Sequence, residues 1–160
     1  NVILDHSRHL LNRLHDNSID VCFSYLATNE ISYKCIPYKT DEIIFVTNSQ
    51  NIQFSNGIHN GEILHLPIIY SKFMPKSGFD WIHDIFPPHY VFQFTISVIK
   101  EIIPFLLQYP YYAFLPRKLI EKELKDGLLI EIPLLDYHIP PLQSYIIMKS
   151  NAKYNPLDYF

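Results

Sequence analysis

The chain has 160 residues, of which 48% are hydrophobic and 18% charged, with only 4 Gly; this excludes a disordered tail and a fibrous repeat and leaves enough chain for one ordinary domain or two small lobes. Its formal net charge is -3 and its Lys and Arg are scattered, so it offers no electrostatic footprint for a phosphate backbone. The apolar, charge-free stretch from Ile102 to Pro116 is shorter than the ~20 residues that span a bilayer, and its prolines mark it as core.

In chain order, an apolar segment at Val2 to Leu4 is followed by Ser7, a plausible N-cap for a helix with Leu10, Leu11 and Leu14 on one face and an end near Asn17. Residues 19–26, with Val21, Cys22 and Phe23 apolar in succession, read as a strand covered on both faces in a parallel sheet. A second strand is expected over 43–46 and a loop over 50–62, holding Gly57 and Gly61. A short helix at 62–65 then leads into a strand at 66–70.

Beyond a Pro-punctuated region, Thr95 or Ser97 can cap a helix carrying Ile99, Ile102, Ile103, Leu106 and Leu107, with a kink expected at Pro104. Residues 111–115 read as a buried strand. Pro116 takes a first helical position ahead of Leu119, Ile120 and Leu124, Gly127 is the stop, and Glu121 and Lys125 form an i,i+4 pair. Strands at 129–132 and 145–148 follow, and Asn155 with Pro156 opens a last helix. Short buried strands alternating with helices argue for an α/β fold with mostly parallel sheets, and two such series for two lobes.

Cys22 and Cys35 lack CxxC spacing and read as reduced thiols. The 8 His, among them His6 and His9 near a helix start and His83 and His89 around Pro87 and Pro88, match no zinc pattern, so neither metal nor cofactor is expected. No nucleophile elbow, Walker loop or dinucleotide fingerprint is present. Phe79 and Trp81 are read as packing groups, and Arg117, Lys118, Glu121, Lys122, Glu123 and Lys125 as a solvated helix face.

Taken together, these blocks resemble the effector-binding domain of LysR-type transcriptional regulators. "LLNRLHDNSIDVCFSYL" (Leu10 to Leu26) is similar to that family's helix, turn and "lDla" strand; "YKTDEIIFVTNSQN" (Tyr38 to Asn51) to the strand ending the first half of its first lobe. "EILHLPIIY" (Glu62 to Tyr70) resembles the entry into the second lobe, and "IIPFLLQYPYYAFLPRKLIEKELKDGLLIEI" (Ile102 to Ile132) the glycine-containing run after it. "QSYIIMKS" and "YNPLDYF" parallel the return strand and final helix. Tyr109 and Tyr111 stand where the family usually has two glycines, and either narrow the cleft or pack beneath it.

The resemblance implies a two-lobed, type 2 periplasmic-binding-protein-like α/β fold with an interlobe cleft, the first lobe from residues 1–65 and 145–160 and the second from 66–144. It also implies a cytoplasmic, non-catalytic sensor of a small, anionic metabolite. The sensor forms a homodimer or tetramer and reaches DNA only through an N-terminal winged helix-turn-helix that this sequence lacks, with no membrane contact. The helix at Ser7 to Asp16 would meet a partner's second lobe, with Arg8, Asn12 and His15 nearer the seam.

The family's first strand and helix are missing too. The sequence starts at Asn1 without a signal-peptide pattern, so a cut or processed chain is expected, with a weak first lobe and a gap between Val2 to Leu4 and residues 19–26. In open α/β sheets ligands sit where strands end and helices begin. This places Ser24 and Tyr25 on the first-lobe wall and Ser71, Thr95 and Ser97 on the second, as hydroxyl and N–H donors suited to an anion. A transporter's solute-binding protein is the alternative on the same fold; a dehydratase-like enzyme is a more distant one.

Overall fold

The computed structural model describes residues 7–71 and 80–151, apart from the side chain of Ile99. The expected strand at Val2 to Leu4, His6, Phe79 and the last helix at Asn155 fall outside these residues. The chain forms two compact units, Asn1–Thr40 with Leu142–Phe160, and Asp41–Pro141.

In the first unit, α1 (Ser7–His15) places Leu10, Leu11 and Leu14 on one face, as their spacing dictates. The helix stops because Asn17 takes a left-handed φ of 64°, which lets the Ser18 amide donate back to the Arg13 carbonyl at 2.9 Å. A three-stranded sheet has β8 (Leu142–Lys149) between β1 (Val21–Ser24) and β2 (Tyr33–Asp41). Leu14 packs on Cys22 and Ile147, with Leu10, Leu11, Ile19, Tyr33, Cys35 and Tyr145 around them.

The expectation of a two-sided parallel strand over 19–26 is corrected. Among the described residues β1 pairs antiparallel with β8, Val21 opposite Met148 and Ser24 opposite Tyr145. Its burial alternates: Cys22 and Ser24 are inside while Phe23 is 41% exposed and meets Tyr38 edge-on at 5.2 Å. β2, not foreseen from the sequence, mixes apolar and polar residues with none fully buried, and includes Pro37; a proline without an N–H fits a strand at a sheet margin.

The second unit is a five-stranded mixed sheet in the order β5-β4-β6-β3-β7: β3 (Ile43–Asn48), β4 (Ile68–Ser71), β5 (Phe94–Ile96), β6 (Tyr112–Pro116) and β7 (Leu129–Glu131). β4 runs parallel to β5 and β6, whereas β3 is antiparallel to both β6 and β7. The expectation of mostly parallel sheets is therefore corrected, since of the described strand pairings two are parallel and three antiparallel; an apolar run reports burial on two faces and not strand direction. The division of the chain also moves. β3 was assigned to the first lobe, but its pairing with β6 and β7 draws residues 41–65 into the second unit, and β8 from Leu142 belongs wholly to the first.

One face of this sheet carries Ile44, Val46, Ile69, Ala113, Leu115 and Leu129, packed under Ile102 and Leu106 of α4 (Ile99–Gln108) and Ile120. The other face is aromatic: Phe45 stacks on Tyr112 at 5.4 Å and lies 4.7 Å from Phe114, against which Trp81 stands edge-on at 5.1 Å. α4 continues through Pro104 as one helix. Short helices α2 (Asn60–Ile63) and α3 (Ile82–Ile85) lie in the connections. Pro116 ends β6 rather than opening an α-helix; a 3₁₀ turn (Arg117–Ile120) intervenes before α5 (Glu121–Lys125), which Gly127 closes with a φ of 66°.

Candidate functional site

Strand direction decides which edge of the second unit can receive a ligand. The parallel strands β4, β5 and β6 end at Ser71, Ile96 and Pro116, and antiparallel β3 begins opposite Pro116 at Ile43. One edge of the sheet thus gathers Ser71, Ser97, the start of α4, Arg117 and the entering residues Asp41 and Glu42. This is the edge at which helix N–H groups converge in open α/β sheets.

Thr95 and Ser97 do not cap α4. Thr95 lies within β5 opposite Tyr70, exposed on the margin of the sheet; Ser97 is exposed one residue before the true N-cap, Val98, whose side chain has no capping oxygen. The Glu101 amide donates to the Val98 carbonyl at 3.0 Å. The amides of residues 99 and 100 have no side-chain cap and by helix geometry no intrahelical acceptor, and the same first turn exposes both Lys100 and Glu101. Ser71 is buried at the end of β4. The structure therefore brings Ser71, Thr95 and Ser97 to one end of neighbouring elements, as hydroxyl neighbours of a helix start and not as its caps.

Ser24 and Tyr25 lie in the first unit, at the end of β1. The buried Ser24 hydroxyl accepts from the Leu26 amide at 2.9 Å and donates to the Leu26 carbonyl at 3.0 Å, closing a tight turn. The Tyr25 amide donates to Ser7 Oγ at 3.3 Å, so the hydroxyl expected to cap α1 ties the helix start to the end of β1.

Sequence reasoning missed the ionic group at the entering edge. Arg117 directs Nε to Glu42 Oε2 and Nη2 to Glu131 Oε2, each at 2.5 Å, and its amide donates to the Glu42 carbonyl at 2.8 Å. Lys118 Nζ lies 3.1 Å from Asp41 Oδ1. The hydrogen bonds it donates to Glu42, then to Glu131, raise the guanidinium pKa further above its ordinary range. Arg117 and Lys118, read as a solvated helix face, precede α5; Pro116 ending a buried strand was the available signal. Glu121 and Lys125 do pair, at 2.9 Å.

Tyr109 and Tyr111 precede β6, at the opposite end of the parallel strands from Ser71 and Ser97. Tyr111 packs on the core and meets Phe94 edge-on at 4.8 Å, with Tyr109 6.2 Å behind it. Trp81 is likewise a core residue. Burial, with Cys35 nearby, pushes the Cys22 thiol up to about 11, which removes nucleophilic thiolate character. Among the described residues no group of three or more His, Cys, Asp or Glu is placed to hold a metal ion, and no helix is long and apolar enough to cross a membrane.

No protein-family model matches the chain, and no curated protein matches it in sequence. Solved structures match it in fold. ArgP from Mycobacterium tuberculosis superimposes with a TM-score of 0.73 at 13% identity, covering 99% of this chain and 54% of that one. An OxyR mutant from Corynebacterium glutamicum gives 0.69 at 19% identity, over 93% and 48%. The BenM effector-binding domain with its effector benzoate gives 0.68 at 15% identity, over 96% and 71%. These proteins are LysR-type regulators, and the chain has the periplasmic-binding-protein-like fold of their effector-binding domains while spanning about half the length of the ArgP and OxyR chains.

Proposed function

We propose that the chain is the ligand-sensing regulatory domain of a LysR-type transcription regulator, taking up a small anionic metabolite between its two lobes. The observation that carries this reading is the fold match over nearly the whole chain, which includes a BenM domain holding benzoate. The chemistry of the second unit's edge supports an anion: uncapped amides at the start of α4, the hydroxyls of Thr95 and Ser97, and Lys100 all present donors. On this reading Ser24, Tyr25 and Ser71 complete the walls, and the domain is a cytoplasmic sensor and not a catalyst. DNA is contacted by a separate winged helix-turn-helix.

Assembly as a homodimer or tetramer belongs to the same proposal. α4 is apolar beyond its buried face, with Val98, Phe105, Leu107 and Tyr109 exposed on or beside it, as expected of a helix that a partner covers. Arg8, Asn12 and His15 line the outer side of α1, the helix expected at the seam.

Titration calorimetry with a panel of small carboxylates tests the site. Each hydroxyl bonded to a carboxylate contributes about 1.5–3 kcal/mol, so Thr95→Ala and Ser97→Ala should each weaken a binding carboxylate by roughly tenfold or more. A carboxylate that binds both variants as tightly as the unaltered chain would remove these residues from the site. Sedimentation giving a monomer at high micromolar concentration would remove the dimer.

A further inference from the structure

A cavity of about 360 Å³ opens at one end of the three-stranded sheet, where α1 finishes at His15, β2 begins at Tyr33 and β8 finishes at Lys149. Ser32, Ser150 and Asn151 complete its lining, so every side chain around it carries a polar group and none is a carboxylate. The chain leaving β8 is fixed there: the Ser150 amide donates to the Ser32 carbonyl and Ser150 Oγ to the Ile31 carbonyl, each at 2.9 Å.

The lining is arranged to receive negative charge. Lys149 brings an ammonium whose partner among the described residues is Asn17 Oδ1, a neutral amide oxygen that leaves the charge unbalanced. Asp16, the first residue after α1, gives Oδ1 to the Ser18 amide at 2.9 Å instead. His15 Nδ1 and the Tyr33 hydroxyl lie 3.1 Å apart. A neutral imidazole and a phenol hold two such protons and spend one on each other, so in either tautomer an imidazole N–H or the phenol O–H is left to donate outward. Ser32 Oγ is exposed and makes no hydrogen bond among the described residues. The end of α1 gathers the cations without consuming them. Its Asn12 and Arg13 carbonyls accept from the Asp16 and Ser18 amides at 3.0 and 2.9 Å, while the negative end of the helix dipole favours positive charge nearby.

We propose that this pocket is an anion site for the phosphate group of a small phosphomonoester. A phosphate monoester offers three acceptor oxygens, which match donors arriving from α1, β2 and β8, whereas a carboxylate offers two in one plane. The cavity lies at the lower end of the ~300–1,000 Å³ of small-molecule sites, which leaves room for more than a bare ion. A single phosphate, rather than a backbone of them, also fits a chain of net charge -3. Its residues all belong to the first unit, whereas Ser71, Thr95 and Ser97 belong to the second, so the site stands whether or not the sensor reading does.

Proton–nitrogen NMR of the 160-residue chain, titrated at constant ionic strength with phenyl phosphate, inorganic phosphate and acetate, reads the site. Phenyl phosphate should shift the amides of Tyr33, Lys149, Ser150 and Asn151 saturably. Inorganic phosphate should act on the same amides about threefold more weakly or less, and acetate should leave them in place. Inorganic phosphate binding as tightly as the ester would overturn the monoester, and an equal response to acetate would overturn the preference for phosphate. Lys149→Gln should weaken phenyl phosphate by roughly tenfold or more and Tyr33→Phe, which keeps the ring, by about threefold, whereas Lys149→Arg should keep most of the affinity. Ser32→Ala, with an expected loss of about threefold, serves as an independent variant should Lys149→Gln disturb the sheet. Full affinity in these variants, or shifts confined to Ser71, Thr95 and Ser97, would overturn the pocket. His15 also stands near the proposed dimer seam, so the titrations are run at two protein concentrations roughly tenfold apart. The same midpoint is expected at both, and a midpoint that moves with concentration would overturn a site held by one chain.

Discussion

In the second unit, β3 is buried at every residue from Ile43 to Thr47 and β6 from Tyr112 to Pro116. In the first unit, β1 alternates between inside and outside, and β2 has no fully buried residue. The difference follows from layers. The five-stranded sheet has α4 on one face and an aromatic layer on the other, whereas among the described residues the three-stranded sheet has its buried cluster under α1 alone. A sheet covered twice stabilises each strand through both sets of side chains, and a sheet covered once leaves every second residue to solvent.

The largest expected effect tests that contrast directly. Phe45, central in β3 and in contact with Tyr112 and Phe114, should cost about 3–5 kcal/mol when replaced by Ala, while Phe23→Ala on β1 should cost less than about 1 kcal/mol. Denaturant midpoints of the two variants measure the difference; equal losses would mean that the exposed face of β1 is covered as well.

Next in size is Leu14→Ala, which empties the centre of the first unit's cluster and should destabilise it by about 2–3 kcal/mol. Cys22 reports this locally. Its thiol is buried, with its pKa pushed up to about 11, so alkylation at pH 8 should be slow in the native chain and should accelerate with Leu14→Ala while amide protection of β3 and β6 is unchanged. Loss of protection in both sheets together would show that the units unfold as one.

This contrast also explains what could be read from the sequence. The runs at 43–46 and 111–115 were legible as strands because two-sided burial makes them continuously apolar, but the same continuity concealed that β3 is antiparallel. β2 was not legible: Tyr33–Asp41 contributes no buried residue, and it is a strand because β8 offers it a partner. α1, α4 and the Glu121–Lys125 pair were legible from helical spacing. Of the candidate site, Ser71, expected just past a strand, is the last residue of β4, and Ser97, expected at a helix start, lies between β5 and α4. The cap on α4 was misplaced, since a three-residue strand at Phe94–Ile96 is too short to leave a period. The ties of Arg117 to Glu42 and Glu131 join residues 75 and 14 positions apart, which no local pattern encodes.

A smaller effect compares how helices end in the two units. Gly127 and Asn17 both hold left-handed backbone, and no atom lies near enough to obstruct a Cβ at Gly127, so Gly127→Ala should cost about 1 kcal/mol through backbone conformation alone. Asn17→Gly relieves the same restriction but gives up the Asn17 contact with Lys149, so it should change stability by no more than about 0.5 kcal/mol. Thermal unfolding of both variants separates backbone cost from side-chain contact.

The smallest effect belongs to the loops of the second unit. His59 Nδ1 lies 2.9 Å from Asp136 Oδ1, and the Asn60 amide donates to Asp136 Oδ2 at 2.9 Å, joining two connections. The hydrogen bond to Asp136, reinforced by the carboxylate charge, raises the His59 pKa above its ordinary 6.5; the same hydrogen bond, with that donated by the Asn60 amide, lowers the Asp136 pKa below 3.8. For a raised histidine the stabilisation is complete below the unfolded value and is lost as pH climbs through the folded one; for a lowered carboxyl it is complete above the unfolded value and is lost as pH falls through the folded one. The tie is therefore strongest between pH 3.8 and 6.5 and loosens first on the alkaline side. An NMR titration should find the His59 ring changing above 6.5, with Asp136→Asn returning it toward that value, while the amides of β3 and β6 do not respond. A midpoint at 6.5 in the unaltered chain would mean that solvent competes the pair away, and a response in β3 or β6 would show that the twice-covered sheet feels its loops.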